Sequence, residues 1–262
     1  MLARQSFLRL GVGAAAIAVT IYFVSTRKSR AIRALISKSM SAHRSKAYEE
    51  SLAAALEACK LAEAERGSEL HETALLHLAG VHAAQRDHEN ALRVLDEALA
   101  LAEEMHGSQA LELVPILHAR AEIFEADDGQ PFAAAAAALT RARDIRRAVC
   151  GEQSIQSARA SFNLASLLSR GAQEHDLDDA RRAELMARIE ALMRDGSAVA
   201  VATGEGDEAA DAFSALLDTL ADDPYEDEHV RQVRKRLQEL FHETFGEEWQ
   251  QRDDDDAENN LE

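Results

Sequence analysis

SELHETALLHLAGVHAAQRDHENALRVLDEALALAEEMHG, residues 68–107, holds two helices and the turn between them. In its first half Leu75, Leu78, Ala79 and His82 recur at steps of three and four. In its second half Ala91, Leu95 and Ala98 do the same, with Leu92, Leu99 and Leu101 alongside. That spacing lays one apolar stripe along each helix. The small residues Ala79, Ala91 and Ala98 let two antiparallel helices approach closely. Gln85-Arg-Asp-His88 is a polar break between them, and Gly107 can take the left-handed conformation that closes a helix.

The plan repeats outward in both directions. Gly67, Gly107, Gly151, Gly196 and Gly246 each follow a similar helix end, at spacings of 40, 44, 45 and 50. Residues 108–151 offer Leu117, Ala121 and Phe124, then Ala133–Ala138, Leu139 and Ala142. Residues 152–196 offer Phe162, Leu164, Ala165 and Leu168, then Ala180 and Ala187 after an insertion at Gly171–Asp178. Residues 29–44 and 46–67 form an earlier pair. Residues 207–246 form a degenerate last one, with Val230, Val233, Leu237, Leu240 and Phe241 on one face and Arg231, Arg234, Lys235 and Arg236 on the other. A polar outer face is what a terminal unit of a stacked array needs. With only 3 Pro and a wealth of Ala, the chain is expected to be all-α.

The bulky–Leu–small–aromatic positions at Leu75, Leu78, Ala79 and His82, and the small–bulky–small positions at Ala91, Leu95 and Ala98, resemble the tetratricopeptide repeat. The period above 40 and the ending ALALAEEMHG resemble its kinesin-light-chain variety, although His82 stands where an aromatic is commoner. The resemblance covers residues 46–196 well and 197–246 poorly. It implies a right-handed α-solenoid whose concave face, lined by the first helix of each pair, binds peptides. The candidates on that face are Thr73, His77 and Gly80, then His118 and Glu122, then Arg159, Asn163, Ser166 and Arg170. Clamps for terminal carboxylates in this family use repeated Lys and Asn, and only the third unit offers anything similar.

Charge divides the chain near Lys46-Ala-Tyr-Glu49. The first 48 residues hold nine of the 29 basic residues and no Asp or Glu; the rest set 20 basic against all 47 acidic residues, a formal charge of −27. Such a body repels nucleic acid and favours basic partners. Leu10–Thr26 is uncharged over 17 residues. As a helix it would span about 25 Å, near the roughly 30 Å of a bilayer core. Leu10, Ile17, Val19, Ile21, Tyr22, Phe23 and Val24 are its anchor candidates, and Arg27, Lys28, Arg30 and Arg33 flank it. Basic flanks stay on the cytosolic or matrix side. A cleaved secretory signal would need a small-x-small site after the apolar run, where Phe23-Val-Ser25 stand instead. The arrangement resembles the anchors of mitochondrial outer-membrane import receptors. The expected organisation is an anchor at 1–28, a basic linker helix at 29–45, repeats at 46–196, a terminal pair at 197–248 and an acidic, disordered tail at 249–262.

Chemistry is hard to place. His71, His77, His82 and His88 are spaced 6, 5 and 6, which puts no two neighbours on one face, and Leu75 stands where a zinc-protease helix needs its second histidine. His82 is expected in the core and the other histidines in solvent. Gly204-Glu-Gly206-Asp-Glu-Ala209 matches a dinucleotide fingerprint in letters, but Glu205, Asp207 and Glu208 would repel a pyrophosphate, so a connector between helix pairs is expected. Cys59 and Cys150, 91 residues apart, suit a reducing compartment. No cofactor, metal or small-molecule substrate is expected. The reading is a non-enzymatic, single-pass adaptor at a mitochondrial membrane that binds protein or peptide partners of basic character. The alternative is an inner-membrane assembly or stability factor for a respiratory complex.

Overall fold

In the computed structural model, the structure describes residues 27–64, 68–126, 132–172, 178–221 and 228–246. The anchor candidates Leu10 to Val24, the acidic tail, Gly67 and most of the insertion between Gly171 and Asp178 lie outside these residues. Among the described residues there is no strand, and no helix is long and apolar enough to cross a membrane. Helix α1 covers residues 27–44. After it come α2 (Tyr48–Glu63), α3 (Glu69–Ala84), α4 (His88–His106), α5 (Leu113–Ala126) and α6 (Phe132–Cys150). The series ends with α7 (Ile155–Ala172), α8 (Asp179–Thr203), α9 (Gly206–Ala221) and α10 (Glu228–Phe245). The chain divides into two compact units, Met1–Ser108 and Gln109–Glu262.

In the first unit each helix packs on the next. The stripes read from the sequence are the ones buried: Leu75, Leu78, Ala79 and His82 on α3, and Ala91, Leu95 and Ala98 on α4. Helix α2 offers only small side chains to the interior, Ser51, Ala54, Ala55, Ala58 and Ala62, so α1 and α3 can lie close to it. Ile32 from α1 fills the space against Ala58, Ala62 and Ala74. A fully buried serine pair fastens α1 to α2: Ser39 Oγ donates to the Ser51 carbonyl at 2.8 Å and Ser51 Oγ to the Ser39 carbonyl at 3.0 Å. The polar groups are thereby satisfied where no water reaches them. Both turns between paired helices place a non-glycine residue in the left-handed region, Lys46 and Arg86, each at φ 60°. Side chains start α3 and α4: Ser68 Oγ accepts from His71 N, and Asp87 from Asn90 N.

In the second unit α5 to α10 continue the pattern around one core that includes Leu164, Leu167, Leu168, Ile189, Met193 and Phe213. Phe213 meets Phe241 and Phe245 edge to face, with centroids 5.8 and 6.0 Å apart, and these rings close the last pair. The structure corrects the sequence reading of α8. Ala180 and Ala187 are exposed, while Met186, Ile189, Leu192 and Met193 form the buried face. Gly196 ends no helix: α8 runs through it, across the boundary expected there, and closes at Gly204 with φ 83°. A Cβ at Gly196 would lie 2.6 Å from the Phe162 ring. Gly196 is therefore a point of close helix approach, and Gly204 is the terminator. Gly107, Gly151 and Gly246, at φ 90°, 89° and 74°, do end helices as the spacing requires.

Candidate functional site

Thr73, His77 and Gly80 all lie on the side of α3 away from its buried stripe; Thr73 and Gly80 are exposed and His77 is half-buried. The structure adds what the sequence could not, a facing wall from α1. Met40, His43 and Arg44 stand opposite Leu76, His77 and Val81, and a cleft of about 340 Å³ opens between them. Gly80 leaves its floor open, since a Cβ there would meet nothing within 4 Å. His77 Nε2 lies 2.8 Å from Ser39 Oγ. Ser39 Oγ also lies 2.8 Å from the Ser51 carbonyl, so the imidazole joins the buried serine pair in one hydrogen-bonded network across α1, α2 and α3. Burial holds the His77 pKa below the usual 6.5, and the nearby His43 lowers it further. The His43 ring meets Tyr48 edge-on at 5.6 Å, and its buried Nδ1 has no hydrogen-bond partner among the described residues.

In the second unit, His118 and Glu122 belong to α5 and Arg159, Asn163, Ser166 and Arg170 to α7. Steps of four, three and four put the α7 set on one face, where Arg159, Asn163 and Arg170 are exposed. Arg170 is the residue that brings part of the set together. It donates to Ser166 Oγ at 3.1 Å and, through Nε and Nη2, to Glu125 Oε1 at 2.8 and 2.6 Å. Glu125, which the sequence reading passed over, ties α5 to α7. His118 turns elsewhere: burial lowers its pKa, Arg146 of α6 adds to the effect, and its Nε2 has no hydrogen-bond partner among the described residues. Glu122 is exposed on α5. The candidates thus fall into two surfaces, one in each unit.

The remaining chemistry is structural. The Cys59 thiol is pushed up to about 12 by burial and then by Glu97, far from a reactive thiolate at neutral pH. His82 is buried as expected, its Nδ1 2.9 Å from Asp87 Oδ2. His71 is buried too, contrary to the expectation of solvent, because it sits one turn before Leu75 on the packed face. Among the described residues no group of three or more His, Cys, Asp and Glu could hold a metal ion. Gly204 and Gly206 sit between α8 and α9, the connector that the sequence suggested. A wider furrow of about 900 Å³ runs between α6 and α8, floored by Phe132, Ala136 and Leu185. Its Arg188 already donates to Thr140 Oγ1 at 2.8 Å, and Arg143 pairs with Asp144 beside it at 2.8 Å.

No protein-family model matches the chain, and no curated protein does. Solved structures do. BtubC (BKLC) from P. vanneervenii superposes with a TM-score of 0.59 at 16% identity, over 84% of this chain and 83% of that one. A putative kinesin light chain with nearly identical TPR-like repeats, from Podosopora anserina, superposes with a TM-score of 0.59 at 11% identity, over 83% of this chain and 98% of that one. The fold of this chain is that of tetratricopeptide-like repeat proteins.

Proposed function

We propose that this protein is a non-enzymatic interaction scaffold that holds partner segments against the first helices of its repeats. The observation that carries the reading is the unpacked side of those helices. On α3 and α7 the inner stripe is sealed in the core, while the opposite side carries exposed polar residues and, at α3, an open cleft. Helix pairs of this type bury one face against their neighbours and leave the other for recognition. The likeness to repeat proteins supports the same reading.

In this proposal the segment Leu10–Thr26 anchors the chain in a membrane, with a mitochondrial membrane favoured, and the basic flank keeps the repeats on the cytosolic or matrix side. The acidic surplus beyond residue 48 favours basic segments over most of the surface. A photo-crosslinking residue at Asn163 or Thr73 in the full chain should capture a protein partner in cells, and one at the exposed Ala187 of α8 should not. Capture at Ala187 alone would sink the reading. Carbonate extraction should leave the full chain with the membranes and release a chain that starts at residue 27. If both are released, the anchor is wrong.

A further inference from the structure

Helix α1 is cationic along one side. Arg30, Arg33, Ser37, Ser41 and Arg44 follow one another at steps of three, four, four and three, so they form a single row about 21 Å long. All of them are exposed. The opposite side carries Ile32, Ser39 and Ala42, which are buried. Lys38 stands at one edge of the row and pairs with Glu50 of α2 at 3.5 Å. Met40, 50% exposed, stands at the other edge. Residues 27–44 hold no Asp or Glu, in a chain that has 47 of them. Position gives this row its meaning. Arg27, the first residue of α1, directly follows the uncharged run Leu10–Thr26. A helix that begins where a membrane anchor ends starts at the headgroups.

We propose that the outer row of α1 lies along an anionic lipid surface, with Arg30, Arg33 and Arg44 on the headgroups and Met40 reaching towards the acyl chains. The inference goes beyond the scaffold reading and rests on the anchor reading only for the place of the bilayer. Guanidinium groups match the planar geometry of phosphates and carboxylates. Each cation held close to such a surface strengthens binding about fivefold, and the attraction reaches about 8 Å at physiological salt. The chain beyond residue 48, at a formal charge of −27, is repelled by the same surface. Attraction at α1 and repulsion elsewhere together turn α1 towards the lipid. The Ser39–Ser51 hydrogen bonds fasten α1 to α2, so a docked α1 holds the repeats that follow against the membrane instead of leaving them on a loose tether.

The test places an environment-sensitive fluorescent residue at position 41 of the full chain, reconstituted into vesicles of phosphatidylcholine or of phosphatidylcholine mixed with phosphatidylserine. Emission from position 41 should move to shorter wavelength in the mixed vesicles only. It should return to the phosphatidylcholine value at about 1 M salt, where the screening length is about 3 Å. The same residue in place of the exposed Ala187 of α8 should respond to neither change. Arg33→Glu should lower the ratio of docked to free α1 by about fivefold or more. Arg30→Glu, Arg33→Glu and Arg44→Glu together should abolish the shift, and Arg30→Lys, Arg33→Lys and Arg44→Lys together should retain it. The lipid and salt comparisons keep all three arginines, so they decide the matter without any variant that fails to fold. Equal emission in the two kinds of vesicle overturns the proposal, as does a shift that salt leaves in place, an equal shift at 187, or one that the folded triple Glu variant keeps. A dimer in light scattering of the detergent-solubilised chain that Arg33→Glu dissociates also overturns it, because the acidic body of a second copy is then the occupant. Flotation separates this inference from the anchor. A chain that floats with both kinds of vesicle but shows no shift at 41 loses this inference and keeps the anchor. One that floats only with the mixed vesicles, with the shift at 41, keeps this inference and loses the anchor. One that floats with neither loses both.

Discussion

Gly80 and Gly196 both sit inside helices, for opposite reasons. At Gly80 a methyl group meets nothing within 4 Å; at Gly196 it meets the Phe162 ring at 2.6 Å. Glycine in a helix interior costs about 0.5–1 kcal/mol relative to alanine. Gly80→Ala should therefore stabilise the chain by about that amount. Gly196→Ala should destabilise it by roughly 1–3 kcal/mol, because Phe162 is buried and cannot move aside without strain. Urea unfolding of the two variants checks this, and equal shifts of the same sign would refute the packing role of Gly196. The sequence shows two glycines in helical stretches and cannot tell them apart. It assigned Gly196 to a helix end because the spacing from Gly151 fitted, whereas the contact that requires it comes from Phe162, 34 residues earlier. Spacing reports on the neighbouring helix end; a ring pressed on a backbone belongs to the tertiary structure.

Among the elements, the turns and caps carry pH and strain effects of definite sign. Arg86 holds φ 60° between α3 and α4. Glycine takes that conformation freely, so Arg86→Gly should raise stability by about 0.5–1 kcal/mol in a thermal melt. Asp87 starts α4, and its carboxylate is held below the usual range chiefly by the Asn90 side chain, with His82 contributing. A depressed carboxylate contributes stability that is present above the unfolded value and is lost as pH falls through the folded one. Asp87→Asn should keep the cap and lose this acid sensitivity; Asp87→Ala should lose both, at a cost of about 1 kcal/mol at neutral pH. His77 works on a higher pH window with the same sense. Its folded pKa lies below 6.5, so the unfolded chain takes the proton first and stability declines as pH falls through 6.5. His77→Gln should flatten the pH dependence of the urea midpoint in that window. The stripes of α3 and α4 were legible because burial follows the helical period directly. The buried face of α8 was not: Ala180 and Ala187 fit a small-residue pattern, but the face set by Met186, Ile189 and Met193 buries more apolar surface. The α1 wall of the cleft was hidden for a related reason. The sequence marks residues 29–44 as a helix, but only the packing of α1 against α3 brings Arg44 beside Leu76.

For the whole molecule the governing quantity is charge. The chain carries a formal charge of −18, while α1 carries no acidic residue. A basic segment approaching the repeats is attracted at long range. Raising salt from about 0.01 M to about 0.15 M shortens the screening length from about 30 Å to about 8 Å. The association rate of a basic partner segment with the acidic body should then fall. Stopped-flow mixing measures it, and an association rate unchanged by salt would mean that the acidic surplus does not steer the encounter. This asymmetry was legible from the letters alone, because net charge does not depend on the fold; where it is interrupted depended on the fold. The contact between Phe162 and Gly196 has a consequence for descent. A lineage that gains a side chain at 196 must shrink the one at 162 in the same period, so the two positions should be inherited as a matched pair even where every surface residue around them has drifted.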